Sequence, residues 1–430
     1  MDSSLRMSIG EVNLTSRTPG NAGIRCPREE ALSACEPRPD EPSRLKSTEP
    51  PATRTTGGKD RPWHMRAWSG MNVTGWFRAL VRNRFAVSPT RVPMATILTG
   101  LSFFNSSMSI LQSLVYGRRI RRTEIADDPI FVVGHWRSGT TLIHELLVCD
   151  PRHTYPDTYA CFGPNHFLLT QRLLVRWIGF LLPPQRPMDN MAIRWEYPQE
   201  DEWALCNMGL PSPYLTILFP NRPPQHPEYL DLRGISEEER KRWKRKMLWF
   251  LQCLTVREPK RIVLKTPVHT ARIRTLREMF PNARFVHVVR DPYVIFPSTI
   301  HTWKRMYRYH GAQVPRYEGL EQHVLDTFAR MYEVFEEDVR EIPPSRFCEV
   351  RYEDLVRDPI GELRAIYDGL DLDGFDRVLP AAREYVSRTA DYKPNRYELS
   401  PETRDRITAR WRSYIEKYGY ALPDASGANG

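Results

Sequence analysis

Gly134 and Gly139 bound a short turn, GHWRSG, inside the stretch IFVVGHWRSGTTLIHELL from Ile130 to Leu147. Four apolar residues precede the turn, and Thr140, Thr141, Leu142, Ile143, Leu146 and Leu147 follow it at helical spacing. Strand, glycine-bounded turn and helix together aim backbone N–H groups and a helix N-terminus at one point, which suits an anion. The spacing is that of a nucleotide-phosphate loop, G-x-x-x-x-G-K-[ST], but Thr140 stands where the lysine belongs. That lysine reaches the β- and γ-phosphates of a nucleoside triphosphate. Here the only loop cation is Arg137, on the near side of Gly139. The turn reads as built for an adenylate with a shorter anionic chain.

The elements that must hold such a turn follow from the apolar runs. Ile130 to Val133 is rich in β-branched residues and too short for a helix, as a buried central strand is. Arg261 to Leu264 predicts a second strand ending at Lys265-Thr266-Pro267, and Phe285 to Val289 a third ending at Arg290-Asp291-Pro292. Phe347 to Val350 predicts a fourth, running into Arg351-Tyr352-Glu353-Asp354. Strands alternating with helices imply an α/β fold: a doubly wound central parallel sheet, its strand–loop–helix P-loop-like, with helices on its flanks and ligands at the strand C-termini. Between the first two strands, residues 151–259 are dense in Pro and aromatics and read as a pocket-shaping insertion. Within it, Ser236-x-x-Glu239 is a capping box opening a basic amphipathic helix to about Val256.

Composition excludes little. The chain has 430 residues, 41% of them hydrophobic and 27% charged, with a formal net charge of +10. The excess suits an anionic partner, yet no Lys/Arg run with interleaved aromatics marks a nucleic-acid module, so none is expected as a partner. Seven cysteines, widely spaced and without C-x-x-C, indicate neither a disulfide scaffold nor a structural zinc, and fit a reducing compartment. No metal is expected.

Arg137-Ser138-Gly139-Thr140-Thr141 resembles the 5′-phosphosulfate loop of the PAPS-dependent sulfotransferases, which carries Lys or Arg followed by Ser-Gly-Thr-Thr. That family moves the sulfonate of 3′-phosphoadenosine 5′-phosphosulfate (PAPS) to an acceptor. The resemblance extends to Arg290 and Ser298, a strand-end Arg and a Ser eight residues on, which in the family bind the 3′-phosphate. It extends also to Lys265, the strand-end Lys beside the bridging oxygen of the phosphosulfate, where a fixed cation favours the transition state. Tyr352 matches a tyrosine near the adenine, and Asn395 and Arg396 fall where the family closes the donor site. The resemblance thus implies transfer from PAPS to an acceptor hydroxyl on a glycan, lipid, small alcohol or phenol, or tyrosyl protein.

The cytosolic branch of the family has Lys-Thr-His, whose His removes the acceptor proton; this chain has Pro267 there, and His269 two residues on. The base must come from elsewhere. Glu200-Asp201-Glu202, after Pro198, is the densest acid cluster in the insertion and the first choice, although Pro followed by acids also builds an ordinary helix start. Asp157 is a second choice, with His153 and His166 behind it. Two other functions compete. A P-loop kinase or NTPase would need ATP and Mg²⁺, and Thr140 and Arg290 speak against it; a non-catalytic nucleotide- or glycan-binding module would not need Lys265 or the acids.

Outside the 128–420 transferase region, residues 1–62 are rich in Pro, Ser, Thr, Arg and Glu and read as disordered, 63–127 as a helical extension, and 421–430 as a flexible tail. No apolar signal region is seen near the start, so a cytoplasmic enzyme is expected. Residues 92–117 carry no charge. Met94, Ile97, Leu98, Leu101, Phe104, Met108, Leu111 and Val115 repeat at helical spacing, with Thr96, Ser102, Ser106, Ser109 and Ser113 opposite. The apolar stripe is expected to pack on the domain, with contact to a membrane surface the lesser alternative.

Overall fold

The computed structural model describes residues 65–177, 194–389 and 397–421. The readings of residues 1–62, of the tail beyond 421 and of Asn395 and Arg396 lie outside them. In chain order, α1 (Val73–Arg82) and the long α2 (Val92–Arg122) precede β1 (Ile130–Val133), α3 (Thr140–Leu147) and a short β2 (His153–Thr154). Helices α4 (Thr158–Phe162), α5 (Phe167–Leu174), α6 (Asp201–Asn207), α7 (Leu215–Leu218) and α8 (Glu237–Arg257) lead to β3 (Arg261–Lys265). Then come α9 (Ile273–Met279), β4 (Arg284–Val289), α10 (Pro292–His310), α11 (Leu320–Asp338) and β5 (Phe347–Arg351). The chain closes with α12 (Tyr352–Arg357), α13 (Pro359–Gly369), α14 (Phe375–Thr389) and α15 (Pro401–Lys417).

The five strands form one sheet in the order β2-β3-β1-β4-β5, every pair parallel. Alternation explains why β1 reads as continuously apolar. Ile130 and Val132 enter a core with α3, α13 and α14, while Phe131 and Val133 enter a larger one with α8, α9, α11 and α15. Both faces are therefore covered, as a parallel sheet requires. The chain leaves β1 toward β2 and later crosses back to β4, so the switch of direction lies between β1 and β4, where ligands bind in open α/β sheets. The capping box forms as expected: Ser236 Oγ accepts from Glu239 N, and Glu239 Oε2 from Ser236 N. The sequence did not signal β2, a two-residue edge strand within the 151–259 segment that pairs with β3.

One expectation is corrected. Helix α2 packs on α1, α5 and α8, but only in part through the expected stripe. Met94 and Leu98 are buried, whereas Ile97, Phe104, Leu111 and Val115 face out; Ser102, Asn105 and Gln112 face in. The reason is hydrogen bonding. Asn105 Nδ2 donates to Ser69 O (2.8 Å) and Met71 O (3.1 Å), and Gln112 Oε1 accepts from Leu168 N (3.0 Å). Buried amides with such partners satisfy backbone groups that a hydrocarbon face would leave bare. Among the described residues, one helical stretch, Pro89–Arg122, is long and apolar enough to cross a membrane by length and composition.

Candidate active site

The turn after β1 adopts the backbone that its glycines allow. Gly134 has φ 145°, and a Cβ there would lie 2.8 Å from Val288 O; its N–H donates to Thr270 Oγ1 at 2.7 Å. Gly139 has φ 102° and N-caps α3, and a Cβ there would lie 2.3 Å from the Tyr352 ring. Between them Arg137 takes the left-handed region at φ 70°. Only glycine avoids a steric cost in that region, so this arginine is held under strain. Ser138 Oγ is buried and has no hydrogen-bond partner. An orphaned hydroxyl in a glycine-bounded turn at the start of a helix is what a phosphate oxygen would satisfy.

The cations expected at the strand ends gather at this turn. Arg137 Nε donates to Ser298 Oγ (2.9 Å) on α10, and Arg290 Nη1 donates to Arg137 O (2.7 Å). The Arg290 guanidinium lies 3.9 Å from the centre of the Tyr352 ring, which is itself the ring against Gly139. Arg137, Ser138, Gly139, Arg290, Ser298 and Tyr352 thus form one contiguous wall, while Thr140 and Thr141 open the helix behind it. Tyr414 fixes the strand end that carries Arg290: its hydroxyl accepts from Arg290 N (3.1 Å) and donates to Arg290 O (3.0 Å). Tyr414 and Thr270 had no signal in the sequence: Tyr414 reaches the turn from a distant helix with no motif of its own, and Thr270 follows the Lys265 segment with nothing to mark it.

Lys265, at the end of β3, donates from Nζ to Glu200 Oε1 at 2.7 Å. Tyr214 donates to Glu200 Oε2 (2.6 Å) and accepts from Trp136 Nε1 (3.2 Å), so a hydrogen-bond chain joins the turn, Tyr214, Glu200 and Lys265. Burial and then the adjacent Glu200 carboxylate push the Tyr214 phenol well up, which keeps it a proton donor. Tyr214 and Trp136 were missed as site residues; PSPYLTILF reads as one more apolar run.

The acid cluster divides. Glu200 N-caps α6 and keeps its carboxylate on Lys265. Asp201 and Glu202 begin the helix and turn into the core. Asp201 accepts from Thr266 Oγ1 (2.6 Å), and its Oδ2 lies 2.7 Å from His269 Nε2. Burial alone would raise the Asp201 carboxyl; the imidazole and hydroxyl outweigh it and hold it below its ordinary range. Glu202 accepts from Arg272 Nη1 at 2.6 Å and from Ser212. Asp157 is the N-cap of α4 and pairs with Arg257 at 2.6 Å, whereas Lys265 pairs with Glu200. His153 donates to Leu147 O, and His166 is held between Thr170 and Asn105, so both serve packing. Among the described residues no group of three or more His, Cys, Asp or Glu is placed to hold a metal ion.

The model of a sulfotransferase family matches residues 129–377. Proteins named omega-hydroxy-beta-dihydromenaquinone-9 sulfotransferase Stf3, from Mycobacterium bovis and Mycobacterium tuberculosis, are each 49% identical over 360 residues, covering 84% of this chain and 92% of theirs. Among solved structures, the sulfotransferase STF9 of Mycobacterium avium superposes with a TM-score of 0.61 at 18% identity, covering 82% of this chain and 93% of that one. STF1 of Mycobacterium tuberculosis gives 0.58 at 21% identity, covering 79% and 90%. At those identities the superpositions speak for the fold.

Proposed function

Because the chain belongs to the sulfotransferase family, we propose that it moves the sulfonate of PAPS to the terminal hydroxyl of a hydroxylated isoprenoid-quinone lipid, with Glu200 as base. The observation that carries the chemistry is the Lys265–Glu200 pair, joined through Tyr214 and Trp136 to the anion-binding turn. The lipid acceptor rests on the 49% identity to the Stf3 proteins, whose name states such a substrate. A cytoplasmic location belongs to the same reading.

The residues present fit the donor: an orphaned Ser138 hydroxyl, a turn closed to any Cβ at Gly139, Arg137 on Ser298 and Arg290 on the Arg137 carbonyl. PAPS supplies the sulfonate and departs as adenosine 3′,5′-bisphosphate. The turn N–H groups and Ser138 hold the 5′-phosphate, and Arg290, Ser298 and Tyr352 hold the 3′-phosphate and adenine. Lys265 meets the bridging oxygen, which takes the electron pair of the breaking S–O bond. To do so it must release Glu200, and the released carboxylate is then free to take the proton of the attacking hydroxyl. The acceptor oxygen forms the new bond to sulfur. One side-chain movement thus readies both the acid-stabilising and the basic partner.

The test is a thermal-shift titration with adenosine 3′,5′-bisphosphate against AMP and ATP with Mg²⁺, followed by assay of lipid sulfation. A ligand at a hundred times its dissociation constant stabilises by about 2.7 kcal/mol. Stabilisation by the bisphosphate and sulfation of a hydroxylated menaquinone are expected. Stabilisation by ATP with Mg²⁺ alone would replace the reading with a kinase. Transfer to soluble phenols but not to the lipid would overturn the acceptor.

A further inference from the structure

Helix α2 is inverted relative to an ordinary surface helix. Its inner row sets Ser102, Asn105 and Gln112 among Met94, Leu98 and Ile120 and is pinned: Trp76 Nε1 donates to Thr99 Oγ1 (2.8 Å), Val73 N to Ser106 Oγ (2.9 Å), and Asn105 Oδ1 meets His166 Nε2 (3.1 Å). Its outer row is apolar. Phe103 is 55% exposed, Ile110 65% and Leu114 78%, three residues that share one side of the helix. Just past α5, which packs on α2, Trp177 is 74% exposed. Large contiguous apolar surface of this kind marks an interaction site.

The charge pattern selects the partner. Arg118, Arg119, Arg121 and Arg122 are all exposed at the C-terminal end of the helix, and α2 has no Asp or Glu. A second copy of this face would bring no acid to those arginines. An anionic headgroup layer would, while its acyl boundary takes the phenylalanine, isoleucine and leucine, and its interface the tryptophan. Spanning is a poor fit. The inner row is tied to α1, to residues 69–71 and to the start of α5 from Thr99 to Gln112, so the helix lies along the protein and shows a bilayer one face only.

We propose that the outer face of α2, with the four arginines at its end, rests on an anionic membrane surface. The inner row reaches the same 151–259 segment from which α6 and Glu200 come, through His166 and Leu168. The inference stands on α2 alone and does not require the quinone assignment.

The experiment is co-sedimentation of the full chain with phosphatidylcholine vesicles, with and without phosphatidylglycerol, comparing wild type with the Ile110→Glu/Leu114→Glu variant. Both positions are exposed, and an unchanged thermal shift with adenosine 3′,5′-bisphosphate would verify that the variant folds. Binding to the anionic vesicles is expected, weakening as salt rises and falling at least tenfold in the variant. Equal partitioning of the two proteins, or none by wild type, would overturn the proposal. So would a wild-type dimer in light scattering that the variant abolishes, or resistance to extraction by alkaline carbonate. Loss of vesicle binding with sulfation retained in detergent leaves the enzymatic reading untouched.

Discussion

Glu200 and Glu202 stand two residues apart, and each meets a cation, yet the pairs differ in what they can do. The Arg272–Glu202 side chains are 0% and 1% exposed. Arg272 also donates to Tyr229 O and lies over the Trp243 ring, so every part of that pair has a fixed partner. The Lys265–Glu200 pair is 5% and 16% exposed, with one lysine donor and one tyrosine on the carboxylate. A buried pair with all its partners is a structural joint, costly to break and silent in chemistry. A pair at the rim of the sheet, made by a flexible ammonium, can open when something more negative arrives. The difference comes from where α6 starts: Glu200 is still extended at ψ 124°, and the next two side chains follow the helix inward.

The comparison breaks most directly at Lys265. Lys265→Ala should lower kcat by about 10²–10³-fold, the usual effect of removing one charge-stabilising donor, with the thermal shift from adenosine 3′,5′-bisphosphate largely kept. Equal losses in turnover and binding would make Lys265 a binding residue only. Glu200→Gln should fall in the same range of turnover, whereas Glu202→Gln should spare turnover per folded molecule. It should instead cost about 3–5 kcal/mol of stability, measured by denaturant unfolding, because Arg272 is left buried and unpaired. If Glu202→Gln folds normally and loses activity, the assignment of the two carboxylates is reversed.

The core beneath both pairs also predicts a pH response. Burial drives His135 and His310 down to about 3 and His166 to about 4. A histidine whose folded value lies below its unfolded value near 6.5 stabilises fully above that pH and progressively less as pH falls toward the folded value. Each should therefore withdraw roughly 2 kcal/mol by pH 5, so thermal melts should fall steeply between pH 6.5 and 5. A flat melting temperature over that range would mean that these rings are solvated. The smallest effect is expected at Tyr214→Phe, which removes one hydrogen bond from Glu200: about tenfold or less in kcat, with donor KM unchanged.

Much of the fold could be read from local pattern. The β-branched run at Ile130–Val133, the glycine spacing after it and the strand-end Lys265 and Arg290 are short-range signals, and the sheet assembles them at one edge. What could not be read were orientations. Periodicity places an apolar stripe on α2 but says nothing of which side the protein covers, and Asn105 and Gln112 found partners that reversed it. Three adjacent acids look alike in one dimension; only the entry angle of α6 separates the pair at the rim from those in the core. Tyr214 and Tyr414 reach the site from segments whose own sequences announce nothing.

The order of the strands has a further consequence, in time rather than space. Ile130 pairs with Val263 on one side and Arg284 on the other, so β1 leaves the ribosome well before either neighbour exists. At about 5–20 residues per second, the gap to Val263 lasts roughly 7–27 s. During that interval the chain already synthesised contains the apolar α2 and an unpaired central strand, both prone to stray association. A ribosome-stalled chain ending before Arg261 should therefore resist neither protease nor chaperone capture at β1, and protection should begin once β3 has emerged and rise when β4 follows.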